Sequence, residues 1–272
     1  RKYLQQGNID LLDAEWTPIS KLEGIYDGGN FTVARLRVSL GNGNAGLFAA
    51  NGGTIRNVVI ASASALRGQW HAGMVCGENT GTIERCTNRA SVTDGGSNTL
   101  GGICGYNNNG TISECLNTGT LTIDAADDAI HCDLVLNIGA DGTDGPTIDI
   151  TNCYEGLEGA ELNVCSGDIT INASDDCLNA ANSDLTDYDF TMTISGGTID
   201  AYSSAGDGFD SNGDLTITGD TVIVWTANTA DNEPLDADGT ITVSGGTVLA
   251  AGGSSGMGMN LSCLLYTSDA AD

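Results

Sequence analysis

Basic side chains are missing from most of this sequence. All nine Lys and Arg residues lie between Arg1 and Arg89, so residues 90–272 hold 29 acids and no base, and the formal charge of the 272-residue chain is −27. Nucleic acid is thereby excluded as a partner of the second half, because phosphates need cationic contacts. Docking on an anionic membrane surface is excluded for the same reason. Proline (three residues) and aromatics (5%) are scarce. No run of about 18 apolar residues occurs, so no membrane-inserting helix is expected. No C-x-x-C pair occurs, which leaves zinc-ribbon and thioredoxin-type chemistry with little support.

What is present is glycine, 39 residues of it, and an ordered alternation of acids with Ile, Leu, Val and Thr. A disordered acidic chain lacks that alternation, so folded strands are expected. So acidic a segment repels itself unless counter-ions bind it. The chain starts at Arg1 without an initiator Met or a signal peptide, and reads as an internal fragment of a longer protein from an environmental assembly. Its last ten residues, "CLLYTSDAAD", look like a translated sequencing adapter, so 263–272 is set aside as a non-native tail.

Two repeat families divide the rest into 1–117 and 118–262. In the first, "GLFAANGGTIRNV", "GMVCGENTGTIERC" and "GICGYNNNGTISEC" recur with Thr-Ile pairs at 54/55, 82/83 and 111/112, about one solenoid turn apart. Aligned on those pairs, Phe48 falls with Cys76, and Val58 with Cys86 and Cys115. Cysteine there replaces plain hydrophobes, so stacked small core residues are the first reading. In a stacked fold Cys76 and Cys104, or Cys86 and Cys115, are also close enough to oxidise. These phrases, with the lead-in "LEGIYDGGNFTVARLRV", resemble GLUG-type repeats of bacterial surface proteins over residues 16–117. Such repeats occur in adhesins and protease-associated regions.

In the second family "LTIDA", "LNVCSGDITINA", "MTISGGTIDAY", "LTITGDTVIVW" and "ITVSGGTVLAA" alternate apolar and polar residues and break at Gly pairs. Period-two patterning with β-branched residues predicts strands, and Gly-Gly or Gly-Asp predicts tight bends. A helical reading fails on the density of Gly and β-branched residues. The expected fold is all-β, a right-handed parallel β-helix (solenoid) with coils about 4.8 Å apart. Both repeat families can share one continuous coil.

Each acidic coil ends on one apolar anchor: Ile130, Leu157, Leu178, Phe209, Leu235 and Met259. Two positions earlier stand Asp128, Glu155, Asp176, Asp207, Glu233 and Met257. One position later stand His131, Glu158, Asn179, Asp210, Asp236 and Asn260, while Asp127 and Asp175 add acids three positions before. Stacking turns these into columns of like charge, which repel. With no Lys or Arg nearby, protonation, an open solvated face or a bound cation must relieve them. Two oxygen ligands about 2.4 Å from a calcium ion span about 4.8 Å, one strand spacing. Carboxylate and amide oxygens suit Ca²⁺ better than zinc or copper, and magnesium needs a tighter octahedron. The expected metal ligands are Asp127, Asp128, Glu155, Glu158, Asp175, Asp176, Asn179, Asp207, Asp210, Glu233 and Asp236. His131 reads as a solvent-facing stand-in and not as a zinc ligand. The competing reading is that Asp, Asn and Gly here are ordinary turn residues capping their own backbone.

Residues 120–260, through "YEGLEGAELNV", "INASDDCLNAAN", "AGDGFDSNGDLTITG" and "GGTVLAAGGSSGMGMN", resemble the calcium-containing right-handed β-helix family of bacterial carbohydrate-binding domains. That family is related in fold to pectate lyases. The resemblance implies binding of plant cell-wall polysaccharide, including polygalacturonate and cellulose, on a secreted or cell-surface protein. The sequence departs from the family at Cys177, in "DNEPLD" and at Met257.

No catalytic residue is expected. Lyase chemistry of the pectate type needs a base, commonly Arg or Lys, and residues 90–262 hold neither. A glycoside hydrolase needs two carboxylates in divided roles, whereas here every coil repeats them. A non-catalytic, calcium-dependent polysaccharide-binding module is therefore expected, monomeric within a larger chain. A calcium-stiffened adhesin stalk is the alternative. Tyr154, Tyr188, Tyr202 and Trp225 are the candidate sugar platforms, each equally readable as a loop or core residue.

Overall fold

The computed structural model describes residues 1–68, 70–94, 99–219, 221–228, 232–253 and 261–263. Among them there is no helix, and parallel strands stack into a β-solenoid of about nine turns. Two compact units are present, Arg1–Ile123 and Asp124–Asp272.

In the first unit the strands are very short. One turn runs through Phe48–Asn51, Thr54–Arg56, Val59–Ile60 and Ala65–Gly68. The next runs through Cys76–Asn79, Thr82–Glu84, Thr87–Asn88 and Ser91–Asp94. Their register is the register of the sequence repeat. Phe48 stands opposite Cys76, and Cys76 opposite Cys104; Ile55, Ile83 and Ile112 form the next column. Ile55, Ile83, Cys76, Cys86, Met74 and Val75 are fully buried, each apolar side chain contributing about 1.5–3 kcal/mol. The corner after each Thr-Ile-x strand is left-handed: φ is 54° at Asn57, 52° at Arg85 and 53° at Glu114. Asparagine tolerates that conformation, whereas Arg and Glu bear about 1 kcal/mol for it. Hydrogen bonds to the following turn, Asn57 N to Glu84 O and Arg85 N to Ser113 O, hold the corner in place. Inside, the buried Asn51 donates to the buried Asn79 (2.7 Å), and Asn79 to the exposed Asn107 (2.8 Å), so this amide column satisfies itself rung by rung.

The second unit has longer strands. Thr147–Cys153, Asp168–Ala173, Thr198–Ser203, Thr221–Thr226 and Thr247–Ala251 stack in order. Ile148, Ile169, Ile199 and Val222 make one buried column of this face, and Ile150, Ile171, Ala201 and Val224 another. Glycine with positive φ precedes three of these strands, at Gly167, Gly197 and Gly246, where a side chain would strain the bend. A second face begins at Ile130–Ile138 and Leu157–Val164. Past Leu157–Val164 it divides: Leu178–Ala180 and Phe209–Ser211 continue from one end, and Thr191–Ile194 and Asp214–Ile217 from the other. The acids of each coil enter this face at the first of those ends.

Candidate functional site

The apolar anchors decide where the acids go. Ile130, Leu157, Leu178 and Phe209 are opposed rung by rung, and Leu235 continues the column as a single bridge to Phe209. Leu157, Leu178 and Phe209 are fully buried. Burial of the anchor forces its neighbour onto the other face of the pleat. His131, Glu158, Asn179 and Asp210 therefore stand in register on the opposite face. The irregular segment before each anchor stacks as well. Gly156 N donates to Asp176 O, Cys177 N to Asp207 O and Gly208 N to Glu233 O, so Glu155, Asp176, Asp207 and Glu233 follow one another at the same level. The last expected rung, Met257, Met259 and Asn260, lies outside the described residues.

Three groups of side chains meet along these columns. At the first, the His131 ring has Nδ1 2.6 Å from Glu158 and 3.1 Å from Asp128, and Nε2 3.3 Å from Asp133. Burial opposes the charged ring, but these carboxylates outweigh it and raise its pKa. Half exposed and held between acids, His131 is the only described base beside the columns. In the middle, Asn179 donates its amide to Glu155 at 3.0 Å. Its Oδ1 is buried without a hydrogen-bond partner, and the residue is only 8% exposed. At the third, Asp207, Asp210 and Asp236 offer carboxylate oxygens all within 4.8 Å of one another.

Backbone N–H groups provide part of the compensation. Asp176 accepts from Asp207 N at 2.7 Å, and Asp207 accepts from Glu233 N at 2.5 Å. It is not enough. Burial, followed by neighbouring acids, pushes Asp176 up to about 8, Asp210 to about 7 and Asp207 to about 6. Glu158 rises to about 7 through burial and its contact with Asp128, and Glu155 rises chiefly through burial. Carboxylates so displaced favour a proton or a cation. Gly206 makes room in the same place: a Cβ there would lie 2.4 Å from an Asp175 oxygen and 2.6 Å from an Asp176 oxygen.

The four aromatic candidates fall in three places. Tyr202 and Trp225 are opposed in register on adjacent strands and are each more than 40% exposed. Tyr154 stands beside the acids, its carbonyl accepting from Asp175 N at 2.9 Å. Tyr188 donates to Glu161 at 2.7 Å and packs against Phe190. Only the Tyr202–Trp225 pair thus makes a two-residue outer surface. Two features of the first unit escaped the sequence reading. Trp70, His71 and Tyr106 form an exposed aromatic group, with the His71 and Tyr106 rings stacked 4.8 Å apart. Asp27, Arg56 and Glu84 form a column of alternating charge. The "QWHAG" and "CGYNNNG" phrases were the available signal for the aromatics, once one period separates their turns.

Residues 142–257 match a family model described as carbohydrate-binding domain-containing protein. The matched region takes in Glu155 to Asp236 and both members of the Tyr202–Trp225 pair. No curated protein and no solved structure matches the chain.

Proposed function

We propose that the second unit is a non-catalytic, calcium-dependent carbohydrate-binding module for plant cell-wall-type polysaccharide, on a secreted or surface protein. The observation that carries the cation is Asn179. An orphaned, buried amide oxygen among carboxylates of which Glu155, Glu158, Asp176, Asp207 and Asp210 have raised pKa values has a simple physical remedy, a hard cation. The donor set is oxygen throughout: Glu155, Asp176 and Asn179 in the middle, and Asp207, Asp210 and Asp236 beyond, with Asp128, Glu158, Asp175 and Glu233 adjoining. That chemistry suits calcium. Bound there, the ion supplies positive charge that offsets the column and can meet the carboxylates of an acidic sugar polymer. The protein's own part is to hold the oxygens one strand spacing apart and to keep the Asn179 amide turned by its bond to Glu155. The carbohydrate reading is supported by the match over 142–257 and by the exposed Tyr202–Trp225 pair, an apolar surface on which a sugar ring can lie.

The test is affinity electrophoresis of the full chain in polygalacturonate and in a soluble cellulose derivative, with and without EDTA. Retardation that needs calcium supports the proposal. Unchanged mobility in every gel, together with a large fall in melting temperature on EDTA treatment, would leave a calcium-stiffened stalk instead. Release of unsaturated product absorbing in the ultraviolet would overturn the non-catalytic reading.

A further inference from the structure

The first unit carries two pairs of thiols on successive turns. Cys76 and Cys104 are directly opposed on adjacent parallel strands. Cys86 and Cys115 are opposed just before the Thr87–Leu116 rung, with Cys86 N donating to Cys115 Sγ at 3.4 Å. Neighbouring strands run about 4.8 Å apart, within the roughly 4.4–6.8 Å between Cα atoms that a disulfide spans. In each pair the two thiols are near enough to shift each other's ionisation, the buried one upward and its partner downward. All four of these cysteines are free, as are Cys132, Cys153, Cys165 and Cys177. Each pair also combines a fully buried member, Cys76 or Cys86, with a half-exposed one, Cys104 or Cys115.

We infer that Cys76–Cys104 and Cys86–Cys115 are paired sites of covalent modification, each closing into a disulfide between two successive turns on reaction with a small-molecule disulfide. The half-exposed member begins the exchange. The neighbouring Cys86 thiol, and the Cys86 backbone N–H that donates to Cys115 Sγ, lower the Cys115 pKa to about 7 against the effect of burial. Cys104 is lowered in the same sense by the Cys76 thiol. The Cys115 thiolate attacks one sulfur of the reagent R–S–S–R, forming Cys115–S–S–R and releasing RS⁻. The Cys86 thiol then loses its proton, and its sulfur attacks that of Cys115 and expels the second RS⁻. Two protein thiols lose two electrons and two protons, and the reagent gains both as two R–SH. Cys104 and Cys76 follow the same course. Both cross-links join the same two turns, so they close loops of the unfolded chain and stiffen the unit.

The test treats the native full chain with bis(2-hydroxyethyl) disulfide, a neutral reagent that the nearby Glu78 and Glu84 do not repel. Alkylation, intact mass and peptide mapping follow. The expected product has lost two hydrogens per cross-link, carries linked Cys76–Cys104 and Cys86–Cys115 peptides, and melts higher until reduced. Cys132, Cys153, Cys165 and Cys177 are expected to stay unlinked, to be alkylated once the chain is unfolded, and to serve as internal controls. Cys86→Ser is expected to trap the hydroxyethanethiol adduct on Cys115, and Cys76→Ser to trap it on Cys104. A lasting adduct on Cys104 or Cys115 of the unsubstituted chain, linked peptides of other pairing, or thiols that all stay reduced would overturn the inference. The unsubstituted chain decides the matter even if a serine variant folds poorly.

Discussion

Asp27, Arg56 and Glu84 occupy successive rungs of one column in the first unit; Glu158, Asn179 and Asp210 do so in the second. The first column alternates in sign. Arg56 lies 2.9 Å from Asp27, and the Asn57 amide, the Gly29 N–H and Arg56 together hold the Asp27 carboxyl below its usual range. In the second column no Lys or Arg occurs and His131 reaches only the Glu158 end, so burial with neighbouring acids drives Asp210 the opposite way, to about 7. The first unit carries nine acids against nine bases, whereas the second carries 27 acids and neither Lys nor Arg. The comparison teaches that a solenoid converts any charged position into a column. The neutralising charge then comes either from the next rung or from outside the chain.

The largest test removes the outside charge. Chelation with EDTA at pH 8 is expected to lower the melting temperature of the acidic unit by on the order of 10 °C. Hydrogen exchange of peptides covering Glu155–Asp210 should accelerate, while peptides covering Asp27–Glu84 stay protected. Equal loss of protection in both sets would break the comparison.

Proton linkage should separate the units next. Asp176, Asp210 and Asp207 have pKa values raised to about 8, 7 and 6, so without metal the folded state binds more protons than the unfolded one. Stability of the metal-free acidic unit therefore falls as pH rises from about 4 to about 8. Asp27 has a lowered pKa, so its contribution is present above pH 3.8 and is lost only as pH falls through the lower folded value. Melting curves across that range, with calcium restoring stability at the alkaline end, check both directions.

Asn179→Lys transplants the first unit's remedy into the second. The expected result is an acidic unit whose melting temperature changes by less than half as much on EDTA treatment. An undiminished EDTA effect would show that the Asn179 rung is not where charge is neutralised. Arg56→Met does the converse, leaving Asp27 and Glu84 without their shared partner. A loss of about 2 kcal/mol is expected in denaturant unfolding followed at the first unit, and calcium should not recover it. The smallest effect concerns ligand alone. Trp225→Ala is expected to weaken polysaccharide binding by about tenfold, roughly 1.4 kcal/mol, with no change in melting temperature or calcium content.

Much of this was legible residue by residue. The Thr-Ile pairs at 54/55, 82/83 and 111/112 fall in register as the repeat implied. The anchors from Ile130 to Leu235 meet as the acid–apolar phrases implied. Both follow from one rule: parallel stacking sets matching phrases of successive coils side by side, whether the coils are nearly equal in length, as between the Thr-Ile pairs, or unequal, as between the anchors. Tyr188 was not separable from Tyr202 and Trp225 in this way. Tyr188 itself lies in the irregular stretch around residues 182–190, where no period applies, and meets Glu161 of Leu157–Val164.

By itself, then, the sequence determined the all-β stacked architecture, the columns and the shortage of positive charge, because alternation, glycine bends and period are local properties. Only the tertiary structure decided which polar atoms remain unsatisfied. Asn179 and Asp207 are equally polar in the sequence; one has a buried oxygen with no partner, and the other receives a backbone N–H from Glu233. Likewise Cys86 and Cys115 differ in exposure though the repeat makes them equivalent. Burial and hydrogen-bond direction depend on what the neighbouring turn presents, and that is a property of the packed chain.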